Sequence, residues 1–233
     1  MTGSTMPNSP ILISFSGMDG AGKSTQIENL KTIAQHHGLK VTILTFWDNV
    51  VMLSRYREGF VQKVFKSESG VGAPGKPVNR RDKNVRGWYM NLVRHALYTL
   101  DAIHLPLVIA RAHRAGADVV ILDRYIYDEL ANLPLTNPVT RAYIRTVARL
   151  VPQPDIAFVL DAEPELAYAR KPEYPLDFMH KVRAAYHSLA NLLGTITVVP
   201  ALSLPEAKRV VEISFRRILN KRGLPNKRGM FAA

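Results

Sequence analysis

The chain contains no cysteine. That excludes disulfides, thiolate metal sites and cysteine nucleophiles, and it is compatible with a reducing cytoplasm, the location expected here. No apolar run approaches the roughly 18 residues that a membrane-spanning helix requires, so no membrane partner is expected. Residues 1–10 are polar and include Pro7 and Pro10, with neither a basic start nor an apolar centre, which argues against a secretory signal. Internal repeats and low-complexity tracts are absent as well. Acidic residues are few, 19 against 31 Lys and Arg, leaving a net charge of +12.

That excess is local. Lys208 to Arg228 carries eight basic residues and one acid, Glu212. Lys76, Arg80, Arg81, Lys83 and Arg86 form a second cluster, opposed only by Asp82. Such charge suits a nucleic-acid or anionic-membrane partner, or else a solvated helix end followed by a basic tail, which is the commoner case. The remainder is ordinary: 233 residues, 47% hydrophobic, enough for one α/β domain of generous size or two small ones.

The most informative stretch is Gly17-Met18-Asp19-Gly20-Ala21-Gly22-Lys23-Ser24-Thr25. It fits G-x-x-x-x-G-K-[S/T], a phosphate-binding loop. Ile11 to Ser16 before it reads as a buried strand, and Lys23 to His37 after it reads as a helix with Ile27, Leu30 and Ile33-Ala34 on one face. The glycines let backbone N–H groups turn inward around a phosphate chain, and the helix N-terminus adds positive partial charge there. Lys23 can then reach the outer phosphates, and the Ser24 hydroxyl can ligate Mg²⁺. Asp19 is unusual in such a loop, because a carboxylate among phosphate-facing amides is unfavourable unless a metal or an acceptor uses it.

Further strands are expected at Val41–Phe46, Asp118–Asp123, within Pro154–Asp161, and at Thr195–Val199. Helices are expected at Val50–Phe65, Val85–Ala115, Thr136–Val151, Pro164–Lys171, Leu176–Leu193 and Pro205–Arg222, with Pro106 kinking or dividing the second. Ser67 to Asn84, rich in Gly and Pro, reads as a long functional or mobile loop. Five near-continuous apolar strands between helices mean a five-stranded parallel sheet covered on both faces, the three-layer α/β arrangement. Ligands of such sheets bind beyond the carboxyl ends of the strands. Asp123 closes a strand there and is placed to hold Mg²⁺ opposite Ser24, while Arg124 has the planar fork that suits phosphoryl oxygens. His36-His37 and the pair His180 and His187 lack partners at metal-ligand spacing and read as structural or exposed, as does the stripe Arg141, Arg145, Arg149. Asp101 and His104 read as a polar pair on one helix face.

Three motifs taken together resemble the thymidylate kinases: Phe15 to Thr25, Asp123-Arg124-Tyr125, and Pro154-Asp155 leading to Leu160-Asp161-Ala162-Glu163-Pro164-Glu165. The resemblance implies a P-loop NTPase fold and transfer of a phosphoryl group from ATP, with Mg²⁺, to a nucleoside monophosphate, most simply dTMP. It implies that Asp19 lies beside the acceptor phosphate, that Arg124 contacts phosphate groups, and that the third motif leads into a lid carrying arginines. Members of the family are commonly homodimers. The expected organisation is a flexible tail at 1–10, one kinase domain at 11–222 with a basic loop at 67–84 and a short lid at 170–175, and a basic tail at 223–233.

The chain also departs from the family. Position 20 is glycine where some members place a catalytic arginine, so the lid residues Arg170 and Lys171 are the candidates for that cation. Phe46-Trp47-Asp48-Asn49 stands in place of Arg-Glu-Pro-Gly-Gly, and Leu100-Asp101-Ala102 in place of Ala-Asp-Arg. After Asp123-Arg124-Tyr125 the chain reads Asp128-Glu129-Leu130-Ala131-Asn132, where the family has a serine and Tyr-Gln-Gly near the base. Substrate contacts are therefore expected from Trp47, Asp123, Arg124, Tyr125 and Asp128, with Trp47, Tyr56 and Tyr125 able to stack on a base. Arg55, Arg57, Arg80, Arg81 and Arg86 are the replacements available for the missing acceptor arginines. Two other readings fit the same residues: a P-loop kinase for a nucleoside or another metabolite, and a non-catalytic nucleotide-dependent module binding nucleic acid through the basic tail.

Overall fold

The computed structural model describes residues 9–51 and 88–224. The expected tail residues 1–8 and 225–233, the helix at Val50–Phe65 beyond Val51, the loop at Ser67–Asn84, and Arg55, Tyr56, Arg57, Arg80, Arg81 and Arg86 lie outside the described residues.

Strand β1 (Ile11–Ser16) is buried along its whole length, the two serines Ser14 and Ser16 included, as suits a central parallel strand. Around it the strands β2 (Val41–Thr45), β3 (Val119–Asp123), β4 (Ile156–Leu160) and β5 (Ile196–Val199) form one parallel sheet in the order β2-β3-β1-β4-β5. Among the described residues the helices are α1 (Lys23–His36), α2 (Trp88–Arg114), α3 (Ile126–Leu130), α4 (Pro138–Leu150), α5 (Pro164–Arg170), α6 (Leu176–Leu193) and α7 (Leu204–Lys221). A π-helical turn, Phe46–Val50, follows β2. This is the expected three-layer α/β fold.

Alternation along the strands divides the core. Leu12, Val120, Leu122, Ala157 and Val159 pack on one face with buried residues of α2, α4 and α6, such as Leu105, Ile144 and Leu189. Ile13, Phe15, Ile121, Phe158 and Leu160 pack on the other with Ile27 and Leu30 of α1 and Phe215 of α7. Phe15 and Phe158 stack across β1 and β4 with ring centroids 5.1 Å apart.

Two expectations change. Pro106 does not divide α2, which runs unbroken from Trp88 to Arg114. The buried neighbours Leu105, Val108 and Ile109 hold this stretch in the core, and that burial outweighs the backbone hydrogen bond a proline forgoes. The short helix α3 was not expected, because its five residues are too few to show a period.

Part of the basic charge has structural work. Arg222 donates to both carboxylate oxygens of Asp155 at 2.7 Å and to the Ser9 carbonyl at 2.8 Å, pinning the end of α7 to the start of β1. Arg141, Arg145 and Arg149 are exposed on α4, a solvated face as expected. Among the described residues, no helix is long and apolar enough to cross a membrane, and no group of three His, Asp or Glu could hold a metal ion.

Candidate active site

Parallel register brings the carboxyl ends of three strands together: Phe15 lies opposite Asp123 and Phe158, and Ser16 opposite Val159. The loop leaving β1 starts there. Gly17 has φ 137° and Gly20 φ 85°, both in the region that favours glycine. A Cβ at Gly17 would stand 2.5 Å from the Leu160 carbonyl oxygen, and one at Gly20 2.5 Å from that of Ala167. The loop therefore lies flush against the end of β4 and against α5. The Met18 side chain is buried beneath it with Ala162, Ala167 and Met179, so Met18 anchors the loop and offers only backbone to a ligand.

Lys23 opens α1, and its side chain folds back under the loop. The Nζ donates to the carbonyls of Gly17 and Met18 at 2.9 Å each and lies 3.7 Å from Asp19 Oδ1. Burial, and then the charge of Arg124, push the Lys23 ammonium below its usual pKa. Gly22 precedes it with φ 89° and no side-chain cap, while Ser24 and Thr25 are exposed on the first turn.

Arg124 follows β3 with φ 68°, a left-handed conformation uncommon for a residue with a side chain. Its N–H donates to the Phe15 carbonyl at 2.9 Å, tying this turn to β1. The guanidinium spans two acids, with Nη2 2.6 Å from Asp19 Oδ1 and Nη1 3.4 Å from Asp128 Oδ1. Burial works against its charge, but Asp128 and Asp19 outweigh it and raise the Arg124 pKa. Asp123 beside it is half-buried, and burial raises its pKa against the opposing pull of Lys23 and Arg124.

Asp19, Lys23 and Arg124 thus converge at the mouth of the loop. Arg170 joins from α5, donating from Nη1 to the Gly20 carbonyl at 3.2 Å, whereas Lys171 pairs with Glu173 at 3.0 Å. Trp47 is 38% exposed in the turn after β2, a strand separated from β1 by β3. Tyr125 corrects an expectation: its ring is fully buried and its hydroxyl donates to the Pro152 carbonyl, so it is a core residue and cannot stack on a base. Asp128 corrects another. Its carboxylate is buried and accepts from Ser16 Oγ at 2.5 Å, Tyr125 N at 3.0 Å and Tyr186 OH at 2.6 Å, which leaves it no face for a substrate.

Ser16 and Tyr186 were missed as site residues. Ser16 carried one signal, a hydroxyl at the strand end that opens the phosphate loop; Tyr186 looks like any aromatic on the buried stripe of α6. Burial, and then Asp128, raise the Tyr186 phenol well above its usual pKa. Arg183 was also missed. It donates to both oxygens of Asp161 at 2.8 Å and to both of Glu163, at 2.6 and 2.8 Å. Burial would raise the Asp161 pKa, but Arg183, assisted by His187 at 3.3 Å, holds it below the usual range.

No protein-family model matches the chain. It is 27% identical over 201 residues to a probable thymidylate kinase of Sulfolobus acidocaldarius, covering 82% of this chain and 88% of that one. It is 25% identical over 218 residues to a probable thymidylate kinase of Archaeoglobus fulgidus, covering 90% and 97%. The fold matches a crystal structure of a thymidylate kinase from Ehrlichia chaffeensis with a TM-score of 0.54 at 18% identity, over 91% of this chain and 99% of that one. Along most of its length this chain is thus similar in sequence to probable thymidylate kinases, and it shares the fold of a thymidylate kinase.

Proposed function

We propose that this chain is an ATP-dependent kinase that transfers the γ-phosphoryl group of ATP to dTMP. The observation that carries this reading is one carboxylate, Asp19, standing between two cations at the mouth of a phosphate loop, 3.7 Å from Lys23 Nζ and 2.6 Å from Arg124 Nη2. A loop that only binds nucleotide has no need of an acid there. A loop that must also face a second phosphate does, because Asp19 can orient the acceptor and hold the cations until phosphates replace it.

In this reading the backbone of Gly17 to Thr25 cradles the phosphate chain. Lys23 and Arg124 neutralise charge on the transferred group, and Arg170 adds a cation from the lid side. Ser24 and Asp123 would hold Mg²⁺. The residues fit the ion, since Ser24 offers an exposed hydroxyl beside the loop and Asp123 a half-buried carboxylate at the end of β3, both oxygen donors of the kind Mg²⁺ prefers. When bound, Mg²⁺ supplies positive charge to the phosphate oxygens. A cytoplasmic location and a homodimer, expected from composition and from the resemblance respectively, belong to the same proposal.

A second reading, a different small acceptor, is favoured by Ala102. The resembled family carries an arginine here that helps hold the monophosphate, whereas Ala102 is 6% exposed on the core-facing side of α2. Coupled ADP release from Mg·ATP against a panel of nucleoside monophosphates separates the two. Turnover greatest with dTMP is expected; turnover with none of them would replace the first reading by the second.

A further inference from the structure

Asp128 sits at the centre of the most connected buried polar cluster near the loop. Its donors come from four places in the fold: Ser16 ends β1, Tyr125 starts α3, Tyr186 rises from α6, and Arg124 leaves β3. Three of the four are neutral, so the carboxylate stays hydrogen-bonded whether or not Arg124 is beside it. Asp19 differs. Its side chain is 19% exposed against 5% for Asp128, and it belongs to the loop that receives the phosphates.

We propose that Asp128 is the positioning residue for Arg124: it holds one edge of the guanidinium while the edge now on Asp19 exchanges onto phosphoryl oxygens. The left-handed backbone at Arg124 and its N–H bond to Phe15 fix where the side chain starts, and Asp128 limits where it can go. An arginine restrained on one edge loses less freedom when phosphate arrives on the other. Tyr186 and Ser16 keep Asp128 in place, so α6 and the end of β1 contribute to arginine placement without touching substrate. A cluster that merely fastened α3 and α6 to the sheet would act on stability and not through Arg124.

The inference rests on the kinase reading for its chemistry, so two readouts are taken on the full-length protein. Asp128→Asn, Arg124→Ala and the double variant are compared for dTMP turnover and, by calorimetry, for ATP affinity; Tyr186→Phe is run in the same two backgrounds. Thermal melts establish that each variant is folded. Asp128→Asn should lower kcat by roughly 10- to 100-fold, and Tyr186→Phe by less, with either change having under about a 2-fold effect once Arg124 is alanine. Losses that multiply in the double variants overturn the proposal, since Asp128 would then act without Arg124. Absence of turnover in the unmodified protein would remove the kinase reading alone, and the affinity cycle would still decide whether Asp128 acts through Arg124. Should Asp128→Asn not fold, the Tyr186→Phe cycle carries the same decision.

Discussion

Arg124 and Arg183 each meet two carboxylates, at the ends of neighbouring layers of the same site, and they meet them differently. Arg183 is consumed by its acids: four hydrogen bonds between 2.6 and 2.8 Å occupy its donors on Asp161 and Glu163. Arg124 makes one short contact at 2.6 Å and one long contact at 3.4 Å, and the buried acid it touches is satisfied mainly by neutral donors. A guanidinium with four short bonds across both edges is a fastener; one with a single short bond, to an acid on the loop, exchanges that bond more readily for a ligand. In the proposed kinase reading, the difference separates a structural clamp between β4, α5 and α6 from a working cation at the loop.

The largest effect should come from the working side. Arg124→Ala or Lys23→Ala should each lose roughly 100-fold or more in kcat while circular dichroism and melting stay close to those of the parent. Near-normal turnover in either would erase the distinction. Gly20→Ala comes next. It forces a side chain onto φ 85° and places a Cβ 2.5 Å from the Ala167 carbonyl, so the loop or α5 must shift. A loss of about 1–3 kcal/mol in denaturant unfolding is expected, together with weaker ATP binding.

Arg183→Gln should cost about 1–3 kcal/mol of stability, because it leaves the buried Asp161 short of its donors, yet should change kcat only a few-fold. A collapse of turnover in a folded Arg183→Gln protein would make Arg183 a working residue too. The smallest effect is in acid. Asp161 has a folded pKa below its ordinary value of 3.8, so its contribution is complete above that pH and is lost as pH falls through the depressed value. Urea midpoints measured from neutral pH down to acid should fall less steeply for Arg183→Gln than for the parent at the acid end.

The fold was legible in the residues because its signals are local and repeated. Five apolar runs bounded by turns read as parallel strands, buried in β1, β3 and β4 and partly exposed in the edge strands β2 and β5, and the spacing of Gly17 to Thr25 marks a phosphate-binding loop. The placement of Asp123 and Arg124 beside the loop was legible by position, since both stand at a strand end in a parallel sheet. Tyr125 and Asp128 were misread for one reason. Both follow Arg124, whose guanidinium lies at the loop, but the turn there enters the left-handed region and sends the next residues into the core. Ser16, Tyr186 and Arg183 gave little signal, because their partners lie 112, 58 and 22 residues away. Only assembly of the sheet and α6 brings those groups within reach.

The approach of the Ala167 carbonyl to Gly20 makes the loop and α5 behave as a cam and its follower. Neither has a side chain in the gap to yield, so a change in the path of the loop at this point and a displacement of α5 are one motion. Arg170 sits at the end of that helix with its guanidinium already on the Gly20 carbonyl, and it travels with the same lever. A displacement of α5 would thus reach the phosphate loop through backbone alone, before any charge is exchanged.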